Sequence, residues 1–386
     1  MKIINTAVIG SGFMGAAHVE ALRRIGGVNI KAIVSDDVVA ANSIAEKYSI
    51  PEVYSDYKKV LEDNEIDAIH NCTPNYLHFE INKAAAEAGK HIISEKPLTT
   101  NSADSQILVD LVKKNKLVNA INFNYRFYPL IQHAKRIMEK GDLGEIYLAH
   151  GHYLQDWLFY KTDYNWRLEP EISGASRAVA DIGSHWCDMI QFITGMKIKK
   201  VFADIFTIHN TRLKPKQAVE TFKGKEIDSS SSTDEVTINT EDGGNIIFQF
   251  TNGRRGVFTV SQVSAGRKNS FEFGIDGSKK AIKWNQEEPN QLWLGYREKA
   301  NEILIKDPSL LDPESRGFAH YPGGHPEGYP DGPKNLFMQV YELIRSGKDP
   351  QYEKKVFADF EDGLYENKII EAILKSSAEE RWIEIN

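Results

Sequence analysis

The stretch Ile3–Arg24, IINTAVIGSGFMGAAHVEALRR, decides the fold class of the first part of this chain. Ile3–Ile9 is an apolar run of strand length, and Ala16–Arg24 carries a helical pattern. Between them lies Gly10-Ser11-Gly12-Phe13-Met14-Gly15, a G-x-G-x-x-G turn in the one context where that pattern is informative. Its glycines permit a tight turn, a close approach of backbone to a pyrophosphate, and close packing of helix on strand. The helix N-terminus adds free N–H groups and a partial positive charge for phosphate. Gly10, Gly12, Phe13, Met14 and Gly15 are therefore candidate cofactor contacts. A ligand-free turn is the plainer alternative, and the placement after a strand and before a helix argues against it.

The same alternation continues outward. Ile30–Val34, Ala68–Cys72, His91–Ser94 and Val118–Phe123 read as strands, with helices at Val38–Tyr48, Phe79–Ala88 and Ser102–Asn115. Strands apolar on both faces and separated by helix-length segments predict a doubly wound parallel sheet, an N-terminal Rossmann domain over residues 1–124. At the end of the second strand stands Ser35-Asp36-Asp37. Ser35 and Asp36 are placed to meet the adenosine ribose, although both acids could simply cap the next helix. A carboxylate there repels the extra phosphate of NADP and no arginine rewards it, so the pattern favours NAD and leaves NADP open.

After Tyr125 the pattern changes to longer stretches with period-two alternation: Ile146–Leu154, Val201–Ile208, Glu235–Thr240, Asn245–Thr251, Gly256–Ser264 and Phe271–Ile275. Glu241-Asp242-Gly243-Gly244 reads as a hairpin turn between two of them, and Ser229–Thr233 as a loop tip. Residues 125–386 are thus expected to form an α+β domain with a large, mainly antiparallel open sheet. Helices on one face of such a sheet leave the other needing a partner, which points to a homodimer or homotetramer.

Composition narrows the function. Against 47 Lys+Arg stand 54 Asp+Glu, a net charge of -7 without a basic run, which argues against nucleic-acid binding. Two distant cysteines, Cys72 and Cys187, give neither a disulfide framework nor metal-ligand spacing, and no apolar run reaches the length of a membrane span. A cytoplasmic protein without a metal site is expected.

Three further segments, Cys72-Thr73-Pro74-Asn75 with His78, Glu95-Lys96-Pro97, and Asp181-Ile182-Gly183-Ser184-His185, carry a resemblance in order and spacing. Together with the glycine turn they resemble the family of glucose–fructose oxidoreductase, inositol dehydrogenase and MocA-like proteins. The resemblance implies that Thr73, Asn75, His78 and Glu95 border the cofactor, that Lys96 is catalytic with Pro97 a candidate for a cis bond, and that Asp181 and His185 complete the site. It also implies an NAD(P)-dependent dehydrogenase that oxidises a secondary hydroxyl of a sugar, glycoside or cyclitol. An NAD-dependent glycosidase and a non-catalytic dinucleotide-binding sensor are the alternatives; the joint presence of Lys96, Asp181 and His185 speaks against the sensor.

Independently of the resemblance, Lys96 follows a parallel strand at its carboxyl end, where open α/β sheets place ligands. Asp181 and His185, four residues apart in a helical pattern, share a helix face. Where the family often carries several glycines, this chain reads Ser173-Gly174-Ala175-Ser176-Arg177, and Arg177 either lines a substrate pocket or faces solvent. Tyr125, Trp157 and Arg167 are further candidate substrate contacts, since rings and polar groups together suit a polyol. The segment Tyr321–Pro333, eight glycines and prolines in thirteen residues, reads as a patterned loop offering His325 and Glu327.

Overall fold

The computed structural model describes residues 2–216 and 233–386, which divide into two compact units: residues 2–127 with 329–367, and residues 128–328 with 368–386. The first break falls within a few residues of the expected boundary at 124. The return of residues 329–367 to the first unit departs from two contiguous domains.

In the first unit the order is β1 (Ile4–Ile9), α1 (Phe13–Arg23), β2 (Val28–Val34), α2 (Val38–Tyr48), β3 (Glu52–Tyr54), α3 (Lys58–Glu62), β4 (Ala68–Asn71), α4 (His78–Glu87), β5 (His91–Ser94), α5 (Ser102–Lys114) and β6 (Asn119–Ile121). The six strands lie in the order β3-β2-β1-β4-β5-β6, all parallel. This is the doubly wound Rossmann arrangement, with the strand order reversing between β1 and β4. Ala7, Ile69 and Ile92 are fully buried in the sheet, as helices on both faces require.

Asp37 caps α2 by accepting the Ala40 N–H at 2.9 Å, and Asn101 caps α5 through the Asp104 N–H at 2.8 Å. At α1 the cap is Gly12, which brings no side chain to the first turn.

The second unit contains α6 (Pro129–Glu139), β7 (Ile146–Leu154), α7 (Pro170–Ser173), α8 (Ser184–Thr194), β8 (Ile198–Phe206), β9 (Thr211–Pro215), β10 (Thr233–Thr237), β11 (Gly243–Phe250), β12 (Arg255–Ser261), β13 (Ser270–Gly277), β14 (Ala281–Asn285), β15 (Gln291–Gly295) and β16 (Glu302–Ile305). Its sheet has nine strands in the order β16-β15-β14-β13-β7-β12-β11-β8-β17, where β17 is Ile383–Glu384. Every neighbouring pair is antiparallel except β7 and β12. Helix α8 packs on this sheet through Trp186, which stacks on Phe258 at 4.6 Å and donates its indole N–H to the Glu272 carbonyl at 3.0 Å.

The hairpin expected at residues 241–244 does not form. β10 pairs with β9 in a separate two-stranded ribbon, while β11 pairs with β8 and β12. Glu241 and Asp242 are buried acceptors rather than turn residues, so an acid-glycine pattern that usually marks an exposed turn here marks a polar node in the interior. Of the expected Ser229–Thr233 loop tip, only Thr233 lies among the described residues, where it opens β10.

The last two helices are α9 (Asp331–Ser346) and α10 (Phe360–Glu379). α9 buries Phe337, Val340 and Tyr341, and Asn335 donates to the Phe127 carbonyl at 3.1 Å. The segment before α10 extends the edge of β6, with the Ile121 N–H on the Ala358 carbonyl at 2.9 Å. These contacts explain the return of residues 329–367 to the first unit.

Candidate active site

The carboxyl ends of β1, β2, β4 and β5 bring together the residues that the sequence singled out in the first unit. At β1, Gly10 adopts φ +112°, and a Cβ there would lie 2.5 Å from the Cys72 carbonyl oxygen. At Gly15 a Cβ would stand 2.0 Å from the Gly10 oxygen, so both positions accept only glycine. Gly12 is different, with nothing within 4 Å of the place where its Cβ would stand. Open space over an uncapped helix start fits a dinucleotide pyrophosphate, which needs backbone N–H groups and room for its oxygens. Phe13 is exposed beside this turn and Met14 half-buried; the Phe13 ring lies 6.4 Å from that of Tyr329.

At β2, Ser11 donates to Ser35 at 2.7 Å, tying the glycine turn to the strand end. The two acids divide their work. Asp37 caps α2, whereas the exposed Asp36 accepts the neighbouring Asp37 N–H and the Ser35 hydroxyl. Asp36 thus leaves an anionic group beside Ser35, in keeping with NAD.

At β4, Thr73 donates to the Asn71 side chain at 2.7 Å, and Asn75 begins a short 3-10 turn before α4. His78 is fully buried with Nδ1 2.7 Å from the Pro97 carbonyl and Nε2 2.9 Å from the Thr73 carbonyl. Both ring nitrogens thus face backbone carbonyls, and His78 ties two loops together. Burial lowers its pKa against the pull of the two carbonyls, and a neutral ring donates to one of them at a time.

At β5 the Lys96–Pro97 peptide bond is cis and Lys96 is half-buried. The preceding carboxylate, Glu95, accepts from His18 at 2.9 Å and Asn122 at 2.6 Å, and its other oxygen lies 3.3 Å from the Lys96 N–H. Burial alone would raise the Glu95 carboxyl, but the hydrogen bond and attraction of His18, with Asn122 and Lys96, bring it down to about 2. Glu95 is an anion at any working pH. Tyr125 is buried in the 3-10 turn Asn124–Phe127, just after β6.

In the second unit, Asp181 sits in a π-helical turn, Val179–Gly183, that leads into α8. Sequence spacing alone gives a uniform helix. The wider turn follows from side chains that claim backbone groups, Ser176 taking the Ala180 N–H and Ser184 donating to the Ala180 carbonyl at 2.7 Å. Asp181 is held by Arg167 at 3.3 Å and by Gln262 at 2.9 Å, one on each carboxylate oxygen. His185 is buried on α8, its ring centroid 6.3 Å from that of Tyr153. Asp181 is half-buried and His185 buried, so neither is an exposed surface residue. Trp157 donates to Gln155 at 2.9 Å, and Gln155 and Tyr153 both donate to Asn269.

Arg177 neither lines a pocket nor faces solvent. It is fully buried, with its guanidinium on Asp242 at 2.5 Å, Gln262 at 3.2 Å and both Thr240 oxygens. Arg212 joins the same Asp242 oxygen at 2.8 Å, and the two cations hold that carboxyl below its ordinary pKa despite burial. With four of its five N–H groups on these partners and its side chain fully buried, Arg177 ties this polar node together. Glu327 is likewise buried, in an ion pair with Lys306 at 2.8 Å that also gathers the Tyr321 and His325 carbonyls. His325 is exposed on that loop.

Residues 4–123 match the oxidoreductase family with an NAD-binding Rossmann fold, and residues 131–283 match the GFO/IDH/MocA C-terminal domain, together more than two-thirds of the chain. The chain is a member of the Gfo/Idh/MocA oxidoreductase family. This family member is 28% identical over 412 residues to levoglucosan dehydrogenase from Pseudarthrobacter phenanthrenivorans, spanning 100% of this chain and 99% of that one. It is 30% identical over 197 residues to myo-inositol 2-dehydrogenase from Thermotoga maritima, covering 51% and 57% of the two chains. Among solved structures, levoglucosan dehydrogenase in complex with NADH and L-sorbose superposes with a TM-score of 0.87 at 29% identity over 99% of each chain. An oxidoreductase domain protein from Kribbella flavida gives 0.88 at 27% identity over 100% of each.

Within this Gfo/Idh/MocA oxidoreductase, sequence reasoning missed His18, Asn122 and Gln262. Each touches a singled-out acid from at least 27 residues away in sequence. His18 carried the only local signal, a histidine on the buried face of α1.

Proposed function

We propose that this protein oxidises a secondary hydroxyl of a sugar, glycoside or cyclitol with NAD as hydride acceptor. The observation that carries this reading is Lys96, held between two anchored residues at the cofactor end of the first sheet. The full-length likeness to a levoglucosan dehydrogenase solved with NADH and a sugar supports the substrate class. Bound NAD supplies the hydride-accepting carbon. Gly10–Gly15 would cradle its pyrophosphate, and Ser35 with Asp36 would meet its ribose.

His185 serves as the proton acceptor, since a neutral imidazole works near neutral pH. Lys96 as an ammonium stabilises the negative charge developing on the substrate oxygen, and Asp181 orients the site from its seat between Arg167 and Gln262. Trp157, Arg167 and Tyr125 are the proposed sugar contacts. Holding the reactants in near-attack geometry accounts for about 7–11 kcal/mol of barrier reduction, and a positioned base for about 10²–10⁴-fold. Two buried free thiols suit a reducing, cytoplasmic setting.

A screen of levoglucosan, cyclitols and simple glycosides with NAD and NADP, followed by reduced-nicotinamide absorbance, tests the reading. NADH should accumulate with at least one polyol. Hydrolysis of a glycoside without net cofactor reduction would overturn it.

A further inference from the structure

Behind Glu95 the first unit holds a row of titratable side chains that the proposed chemistry does not use. His18 on α1, His70 on β4 and Tyr341 on α9 are all fully buried. His18 Nε2 lies 2.9 Å from Glu95 Oε1, His18 Nδ1 lies 2.9 Å from His70 Nδ1, and His70 Nε2 lies 2.9 Å from the Tyr341 hydroxyl. The Phe337 ring packs against both imidazoles, at 4.8 and 4.7 Å. Valine or leucine would fill such a space between helix and sheet without desolvating any polar group.

Burial lowers the His70 pKa well below its ordinary value, so its ring is neutral and carries a single proton. Between Tyr341 and His18 that ring donates one hydrogen bond and accepts the other. His18 Nε2 meets the ionised Glu95 carboxylate, which can only accept and so takes a hydrogen from it. Asn122 adds a second donor to the same Glu95 oxygen, leaving Oε2 for the Lys96 N–H at 3.3 Å. On the far side of Lys96, His78 holds the Pro97 carbonyl at 2.7 Å.

We infer that His18 is a positioning residue for Lys96. Backed by His70, it pins the Glu95 carboxylate and so fixes the backbone from which the Lys96 ammonium projects. The inference rests on the reading of Lys96 as the group that meets the reacting hydroxyl, and its test separates the two.

The test uses the full chain with NAD bound and compares wild type, His18→Leu, His18→Gln and Glu95→Gln. The amide nitrogen of His18→Gln takes the place of the imidazole Nε2. Trinitrobenzenesulfonate arylation of Lys96, read peptide by peptide by mass spectrometry against Lys83 as internal reference, reports how firmly Lys96 is held. Fluorescence titration with NADH reports the integrity of the unit. Lys96 reactivity should rise several-fold in His18→Leu and Glu95→Gln and return close to wild type in His18→Gln, with NADH affinity little changed in the His18 variants. Turnover of a polyol found in the screen should follow the same order through kcat, with KM for NAD unaffected. Wild-type Lys96 reactivity in Glu95→Gln, or His18→Gln as reactive as His18→Leu, overturns the inference. If His18→Leu fails to fold, Glu95→Gln decides. Retained turnover in Lys96→Ala would instead overturn the catalytic reading, while labelling of Lys96 still judges the clamp.

Discussion

His91 opens β5 with its ring tucked beneath the next strand, where Nδ1 accepts the Val118 N–H at 3.0 Å. Only an unprotonated nitrogen can do so, and burial lowers the pKa to about 4. An unfolded histidine titrates near 6.5, so between roughly pH 6.5 and 4 the unfolded chain binds a proton that the folded one refuses. Stability from this group is therefore full above that window and is lost as pH falls through it, about 2 kcal/mol by pH 5. His91→Asn keeps the acceptor and removes the titration, so its urea midpoint should fall less than that of wild type between about pH 7 and pH 5. Equal falls would show that the ring does not titrate in this range. At Arg177 the expected cost is structural. Arg177→Met strips one cation from a buried carboxylate and should cost about 3–5 kcal/mol, read as a lowered unfolding midpoint. Arginines are mostly exposed, and the partners of this one lie 63 to 85 residues on, so no local pattern could have placed it inside.

At the scale of elements, β1, α1 and β2 were legible because strand periodicity, glycine spacing and helix periodicity all agree there. α2 matched its expected ends, since a capping aspartate and a left-handed Ser49 mark both of them chemically. The short strands β3, β14, β15 and β16 were missed. They span three to five residues, too few for alternation to stand out. Of the candidate site, the residues at strand ends could be read from topology, whereas Asn122 and Gln262 could not, because only the folded sheet brings them to their acids. The glycine turn yields a paired prediction. The Cβ of Gly12→Val meets no atom within 4 Å, and the variant should be a folded chain that has lost NADH binding, by fluorescence titration. Gly15→Ala would drive its Cβ into the Gly10 carbonyl and should lower the unfolding midpoint as well. A Gly12→Val variant with wild-type cofactor affinity would remove the pyrophosphate from this turn.

For the molecule as a whole, the two-part layout was readable from the change of pattern after Tyr125, while the return of residues 329–367 was not. The contacts that fix it, such as Tyr341 on His70 and Ala358 on Ile121, join segments more than two hundred residues apart. The nine-stranded sheet carries the last prediction. Its inner face packs Phe248, Phe258 and Val260 beneath α8, and alternation then turns Ile247, Val257 and Leu148 outward, where all three are exposed. Ile247 lies directly opposite Val257 in the ladder, and the strand on the far side of β12 contributes His150 and Leu148 to the same face. Branched and apolar side chains adjacent across three strands are costly to leave in water, at about 25 cal/mol per Å². A second copy of the same sheet would cover them through a two-fold contact, and a stable interface of this kind buries about 800 Å² per partner. We therefore expect a homodimer or homotetramer by light scattering at micromolar concentration. The double variant Ile247→Lys, Val257→Lys places like charges on that face and should shift the mass toward monomer without changing NADH affinity. A wild-type mass equal to one chain would reject the interface, and an unchanged oligomer in the double variant would place it elsewhere.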